Sequence, residues 1–463
     1  MGIHRRQFLM GLSAGAALAF SDPKELFANQ GGEYRALVCL FFLGGLDNYD
    51  TIIPYDGNSY NRWSSIRASM LASNEGYRAR NTLLPLDVSG FEGRQFALPA
   101  EMSGLHGLYT SGKAAIIGNV GPLLEPVTRA SFEANTARLP PRLFSHNDQQ
   151  STWVSGSPEG GAQYGWGGLF ADAAMMNNTA VEFSTITTGG SNLFVTGQQV
   201  SPYQITARGG SRRNLFITSR PGGGEEDEES FVDRLAGQPA SVRERIEARF
   251  QATPGSSNVI LGDMDTSVRA ATRSNARYAQ SSSSAVPLQT VFPGGLGANL
   301  RAVANAIAIR EQLGVCRQIF MVGLGGFDTH SFQARALPGL QTQISESITA
   351  FQAAMEELGV SNQVTLFTAS DFGRTLSVNG DGTDHGWGGH SFVVGGAVNG
   401  GTIYGQLPVA DFGHELDAGN GRLIPSTPVD TFAATLGRWF GLNDGELATA
   451  LPRWDNSTLG FMG

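Results

Sequence analysis

The chain has little cysteine, no long apolar run and no surplus of basic residues. Its two cysteines, Cys39 and Cys316, sit in or beside apolar stretches and read as reduced core residues. No zinc finger and no redox CxxC is present, which excludes both of those site types. The net charge of −9 argues against nucleic acid as a partner and leaves no basic face for anionic lipid. Charged residues make up only 16% of the chain. No stretch is long enough to cross a bilayer, so no transmembrane anchor is expected. What is abundant is glycine, 61 of 463 residues, so glycine-rich loops are expected on a chain long enough for a large core.

The first residues form an address. His4-Arg5-Arg6-Gln7-Phe8-Leu9-Met10 precedes the mild apolar stretch Gly11–Phe20, as in a cleavable export signal with a twin-arginine pair. Residues 1–28 are read as this signal, with cleavage after Ala19 or Ala28. The twin-arginine translocase is then a partner during export, and the mature protein is expected in the periplasm or secreted. That route carries folded proteins, often with a metal or cofactor already loaded. Residues 29–463 are read as a single domain.

Four apolar runs read as buried strands: Arg35–Leu43, Ala114–Val120, Gln318–Leu324 and Val364–Phe367. Leu300, Val303, Ala304, Ile307 and Leu313 describe one helix. Ile344, Ile348, Phe351, Met355 and Leu358 describe another, which leads into Val364. This strand–helix–strand order predicts a parallel crossover. Ser426-Thr427-Pro428-Val429-Asp430 opens a last helix with Phe432, Leu436 and Trp439 as core. The pattern weakens between residues 155 and 293, read as insertions and lids, including an acidic loop at Gly222–Ser230 and a surface helix at Ser241–Phe250.

Polar residues gather where the strands end. Asp47 and Asn48 follow the first run, and Asp328 with His330 follows the third. Asp371 follows the fourth, before a Gly/Asn/Asp loop that holds Asp384, His385 and His390. The chain has seven histidines, so two within six residues is a concentration composition does not predict. In a parallel sheet the carboxyl ends share one edge, where residues distant in sequence converge. Asp47, Asp328, His330, Asp371, Asp384, His385 and His390 are therefore candidate metal ligands, in a mixture of imidazole and carboxylate that suits zinc. Thr128 and Arg129 lie at a helix start after the second strand, a place for a nucleophile or for an ordinary cap. In Leu143–Gln150, His146 is read equally as ligand, substrate contact or loop residue. Ser145 and His146, with Asn48, are candidate substrate contacts.

These pieces resemble the exported bacterial family called domain of unknown function 1501, which looks like a branch of the alkaline phosphatase/sulfatase superfamily. The resemblance rests on the twin-arginine start, Gly44-Gly45-Leu46-Asp47 with Pro54, and Leu143–Gln150. It rests also on Gly326-Phe327-Asp328-Thr329-His330 with Gln333, Ser370-Asp371-Phe372-Gly373-Arg374-Thr375, Asp384-His385-Gly386 and Gly395-Gly396. It implies an α/β fold: a doubly wound, mostly parallel sheet with helices on both faces and loop or lid insertions. It implies one or two divalent metal ions, zinc foremost and calcium, magnesium or manganese as alternatives. It also implies a small anionic phosphate or sulfate ester as substrate. Thr128 is the positional match for the nucleophile, with Ser145 as the alternative, and Arg129 or Arg374 would neutralise the ester oxygens. The chain departs from the pattern at Phe372, where the superfamily has histidine, in the tighter Asp328–His330 spacing, and in lacking a Cys-x-Pro-x-Arg motif. The competing expectation is a non-catalytic exported metal-binding or cell-surface assembly protein on the same fold.

Overall fold

A computed structural model describes residues 33–157, 161–189, 192–207 and 259–463, with side chains from 269 onward in the last stretch. The export signal at 1–28, the acidic loop at 222–230 and the helix expected at 241–250 lie outside the described residues.

Among the described residues the main sheet has nine strands. In chain order these are β1 (Arg35–Phe42), β2 (Ala114–Gly121), β3 (Thr185–Thr187), β4 (Tyr203–Gln204), β5 (Arg317–Leu324), β6 (Val364–Ser370), β7 (Gly389–Val394), β8 (Ile403–Gly405) and β9 (Thr427–Pro428). Their spatial order is β8-β2-β7-β6-β1-β5-β3-β4, with β9 also paired to β2. Only β7 runs against the others: it is antiparallel to both β2 and β6, while every other pairing is parallel. The expected mostly parallel sheet is therefore observed.

Burial on both faces explains the continuous apolar runs. In β1, Ala36, Val38, Leu40 and Phe42 join a core with Leu300 and Ile307 of α3 (Leu296–Ala308) and Ile344 and Ile348 of α4 (Gln333–Glu357). The alternate residues Leu37, Cys39 and Phe41 join a second core. It includes Trp153 of α2 (His146–Ser155) and Phe432 and Leu436 of α5 (Val429–Phe440). Each such large side chain contributes about 1.5–3 kcal/mol by leaving water, and helices cover both faces. Cys39 and Cys316 are free thiols.

This topology positions the site. β1 lies between β5 and β6 and is parallel to both, so Asp47, Asp328 and Asp371 follow strands that end at one edge. Because β7 is reversed, His390 at its start reaches the same edge. The segment read as a loop before it differs from expectation. Arg374–Asn379 and Gly382–His385 pair antiparallel as a hairpin, closed by Gly380 at φ 67° and Asp381. Asn379-Gly380 is the local signal for this turn, since glycine takes the positive φ that a two-residue hairpin requires.

Candidate metal centre

The site is built around one oxygen. His146 Nε2 and His385 Nε2 each lie 3.3 Å from Asp328 Oδ1, and His330 Nε2 lies 3.1 Å from it. His385 Nδ1 is 2.8 Å from the Phe144 carbonyl. A carbonyl only accepts, so Nδ1 carries the proton and Nε2 presents a lone pair to Asp328. His146 is set in the same way. Its Nδ1 is 2.7 Å from Asp371 Oδ2, so in the neutral ring Nδ1 is the donor and Nε2 is the free nitrogen turned toward Asp328. With both rings neutral, two imidazole lone pairs and a carboxylate oxygen point at each other.

A cation resolves that conflict. His146 Nε2 and Asp371 Oδ1 are buried and have no hydrogen-bond partner. His146, Asp328 and His385 each offer one ligand atom, all within 4.8 Å of one another. Metal–ligand bonds of about 2.0–2.1 Å in a tetrahedron put ligand atoms about 3.3–3.4 Å apart, which matches both 3.3 Å separations above. The donor set therefore fits a zinc-like ion. His330 stands on the solvent side: its Nε2 is 2.8 Å from His385 Nε2 and its Nδ1 is 3.3 Å from Asp384 Oδ1.

The electrostatics favour ready ligands. Burial pushes the Asp328 carboxyl up, but the hydrogen bond and the charge of Arg374, with the neighbouring imidazoles, outweigh it and leave the group below its ordinary value. Burial lowers His385 despite its bond to the Phe144 carbonyl, which keeps the imidazole neutral. Burial raises Asp371, only partly offset by His146 and the Gly44 N–H. The Phe372 ring packs against both His146 and His385, each at 4.8 Å between centroids. It forms a shelf under the two imidazoles where the superfamily resemblance would place another ligand. Gly44, at φ 114°, is required here because a Cβ would collide with the backbone of Asp328.

The remaining candidate residues do other things in the structure. Asp47 is fully buried and chelates Arg67 at 2.6 and 3.1 Å, takes Gln333 Nε2 at 2.6 Å, and caps the turn through Tyr49 N and Asp50 N. Its oxygens are thus committed away from the cluster. Asp371 backs His146 by accepting from its Nδ1 through Oδ2, while its Oδ1 is buried without a partner. Arg374 is buried and donates to the Gly44 and Phe327 carbonyls, to Asp328, and to the Thr383 hydroxyl and carbonyl. It ties three strand-end loops together. His390 Nδ1 accepts from Asn119 N at 3.0 Å, and burial lowers its pKa to about 4. Asn48 Oδ1 accepts from Arg374 N at 3.0 Å.

Thr128 and Arg129 are not brought to the cluster by any described contact. Thr128 is the exposed N-cap of α1 (Arg129–Glu133) in a capping box with Ser131. Arg129 is bound to Glu133 at 2.7 Å and to the Gly413 carbonyl. Ser145 is the N-cap residue of α2 and its hydroxyl donates to Asp148 at 2.6 Å. His146, the first residue of that helix, is thus the group that the second strand's connection delivers to the centre.

Residues 34–451 match the family described as Protein of unknown function (DUF1501). The chain belongs to that family. No curated protein matches the DUF1501 chain. Among solved structures it is similar to the PsFucS1 sulfatase from Pseudoalteromonas sp., at 11% identity over 91% of this chain and 70% of that one, TM-score 0.34. It is similar also to the lipoteichoic acid synthase LtaP from Listeria monocytogenes, at 8% identity over 90% and 75%, TM-score 0.33. A variant of the alkaline phosphatase PafA follows at 10% identity over 74% and 64%, TM-score 0.28.

Proposed function

We propose that this protein is an exported, metal-dependent hydrolase of phosphate or sulfate esters. The observation that carries the reading is the convergence of His146 Nε2 and His385 Nε2 on Asp328 Oδ1, each at 3.3 Å, with the three residues' ligand atoms all within 4.8 Å of one another. Three protein ligands leave an open position, which distinguishes catalytic from structural zinc sites. With two neutral imidazoles and one carboxylate, a divalent ion would retain one net positive charge, which suits an anionic ester. Such an ion supplies Lewis-acid polarisation and charge neutralisation when bound.

The chain's own residues supply the rest. Asp371 and the Phe144 carbonyl fix the tautomers of His146 and His385, so that both hold lone pairs inward. Arg374 fixes Asp328. His330, half-exposed and held by Asp384, is placed to exchange a proton with the leaving oxygen. No hydroxyl or thiol nucleophile touches the cluster among the described contacts, so Thr128 is left out of this reading. That same observation favours the second reading, a metal-binding protein without turnover. The twin-arginine pair Arg5-Arg6 supports export, and the substrate would then be met outside the cytoplasmic membrane.

Steady-state hydrolysis of 4-nitrophenyl phosphate and 4-nitrophenyl sulfate separates the two. We expect turnover by the native protein, and a loss of about 10²–10⁴ in kcat for His330→Gln with metal content unchanged. Metal-replete protein that turns over neither ester supports the binding reading instead.

A further inference from the structure

The buried ion pair that draws Asp47 away from the cluster is still joined to it. Asp47 is chelated by Arg67, and Arg374 is bonded to Asp328. Two neutral side chains bridge the gap between these pairs. Gln333, the first residue of α4, has its Nε2 2.6 Å from Asp47 Oδ2 and 3.4 Å from Asp50 Oδ2. Its Oε1 lies 2.6 Å from the hydroxyl of Thr383 in the hairpin, and that hydroxyl oxygen is 2.9 Å from Arg374 Nε. Arg374 Nη1 is in turn 3.2 Å from Asp328 Oδ1, the atom on which the histidines converge. The path from Asp47 to the centre is continuous.

Its direction is set from both ends. A guanidinium only donates, so the Thr383 oxygen accepts from Arg374 and passes its one proton on to Gln333. Gln333 must therefore turn its carbonyl oxygen to Thr383. At the other end the carboxylates of Asp47 and Asp50 accept, so Gln333 must turn its amide nitrogen to them. Both requirements select the same amide orientation. A carboxylate at 333 would face two acids, and an apolar side chain would leave the Thr383 proton without its acceptor. Gln333, Thr383 and Arg374 are each 0% exposed, so bulk water does not repair a missing link. Asp328 has most to lose, because its side chain is 50% exposed and among the described residues Arg374 is the one permanent cation bonded to it.

We infer that Gln333 is a positioning residue for the metal centre. Through Thr383 it orients Arg374, and through Arg374 it holds Asp328 Oδ1 where the two imidazole nitrogens meet. The inference rests on the metal centre of the reading above and not on its ester chemistry. Thr329 supplies an internal control: its hydroxyl donates to the same Gln333 oxygen at 3.0 Å but makes no bond to Arg374.

The test is the zinc affinity of the full-length protein, by competition with a chromophoric chelator, with Tm measured alongside. Thr383→Val and Gln333→Met are each expected to weaken zinc about tenfold, as loss of a group supporting a ligand does. The double variant is expected to weaken it about tenfold as well, where two independent losses would multiply to about a hundredfold. Thr329→Val should stay within about twofold of the native protein, since its hydroxyl lies off the path. A purely structural role would lower Tm in both threonine variants and leave their zinc affinities alike. Native affinity in Thr383→Val, an equal loss in Thr329→Val, or a multiplied loss in the double variant overturns the relay. Should Gln333→Met fail to fold, the two threonine variants decide the matter alone. Native protein that binds no zinc removes the metal centre and this inference with it. Native binding matched by Thr383→Val removes the inference alone.

Discussion

The buried carboxylate of Asp371 takes the Gly44 N–H at 2.9 Å and His146 Nδ1 at 2.7 Å through a single oxygen. That makes it a carboxylate behind a histidine, the arrangement that orients metal-bound imidazoles and raises their basicity. Asp371→Asn should therefore weaken zinc affinity about 10–100-fold without abolishing it, measured by competition with a chromophoric chelator. His146→Ala should abolish binding in the same assay. Equal losses in the two would show Asp371 to be a direct ligand. The sequence made the strand-end acids legible because a carboxylate after a buried strand is a local pattern. It did not separate their roles. Asp47 and Asp371 look alike in sequence, and only the fold brings Arg67 onto one and His146 onto the other. His146 itself was one of three equal readings, since its value depends on a helix start landing opposite Asp328.

At the scale of elements, the strands and helices that form the core were readable from apolar runs and three–four spacing. The hairpin at Arg374–His385 and the reversed β7 were not, because glycine-rich sequence hides short strands whose pairing is decided by neighbours. Helix α5 was legible, but one member of it behaves unexpectedly. Asp430 is 4% exposed with Oδ1 unpartnered, and burial raises its pKa from 3.8 to about 6, with Arg453 opposing and Asp455 adding to the rise. A raised folded pKa means the native state holds the proton more tightly than the unfolded chain does. Stability from this group is complete below about pH 4 and is lost as pH climbs through about 6. The loss is on the order of 2–3 kcal/mol, at about 1.4 kcal/mol per pKa unit. Urea unfolding of Asp430→Asn and the native protein should show the variant gaining relative stability between pH 4 and 7. A difference independent of pH would contradict this account.

For the whole molecule, one topological fact creates the site: β1, β5 and β6 are adjacent and parallel, so their following loops deliver Asp328 and Asp371 to one edge, where His146 arrives from α2 and His385 from the hairpin. The same edge carries the half-exposed His330. The family resemblance led to this edge, and the structure redistributes roles within it. The measurement closest to the central claim is metal content by inductively coupled plasma mass spectrometry. It would be made on native protein from its exporting host, beside His385→Ala and His330→Ala. The account predicts about one zinc-like ion per chain in the native protein and in His330→Ala, and loss of that ion in His385→Ala. Native protein without metal, or a full complement retained in His385→Ala, would contradict it.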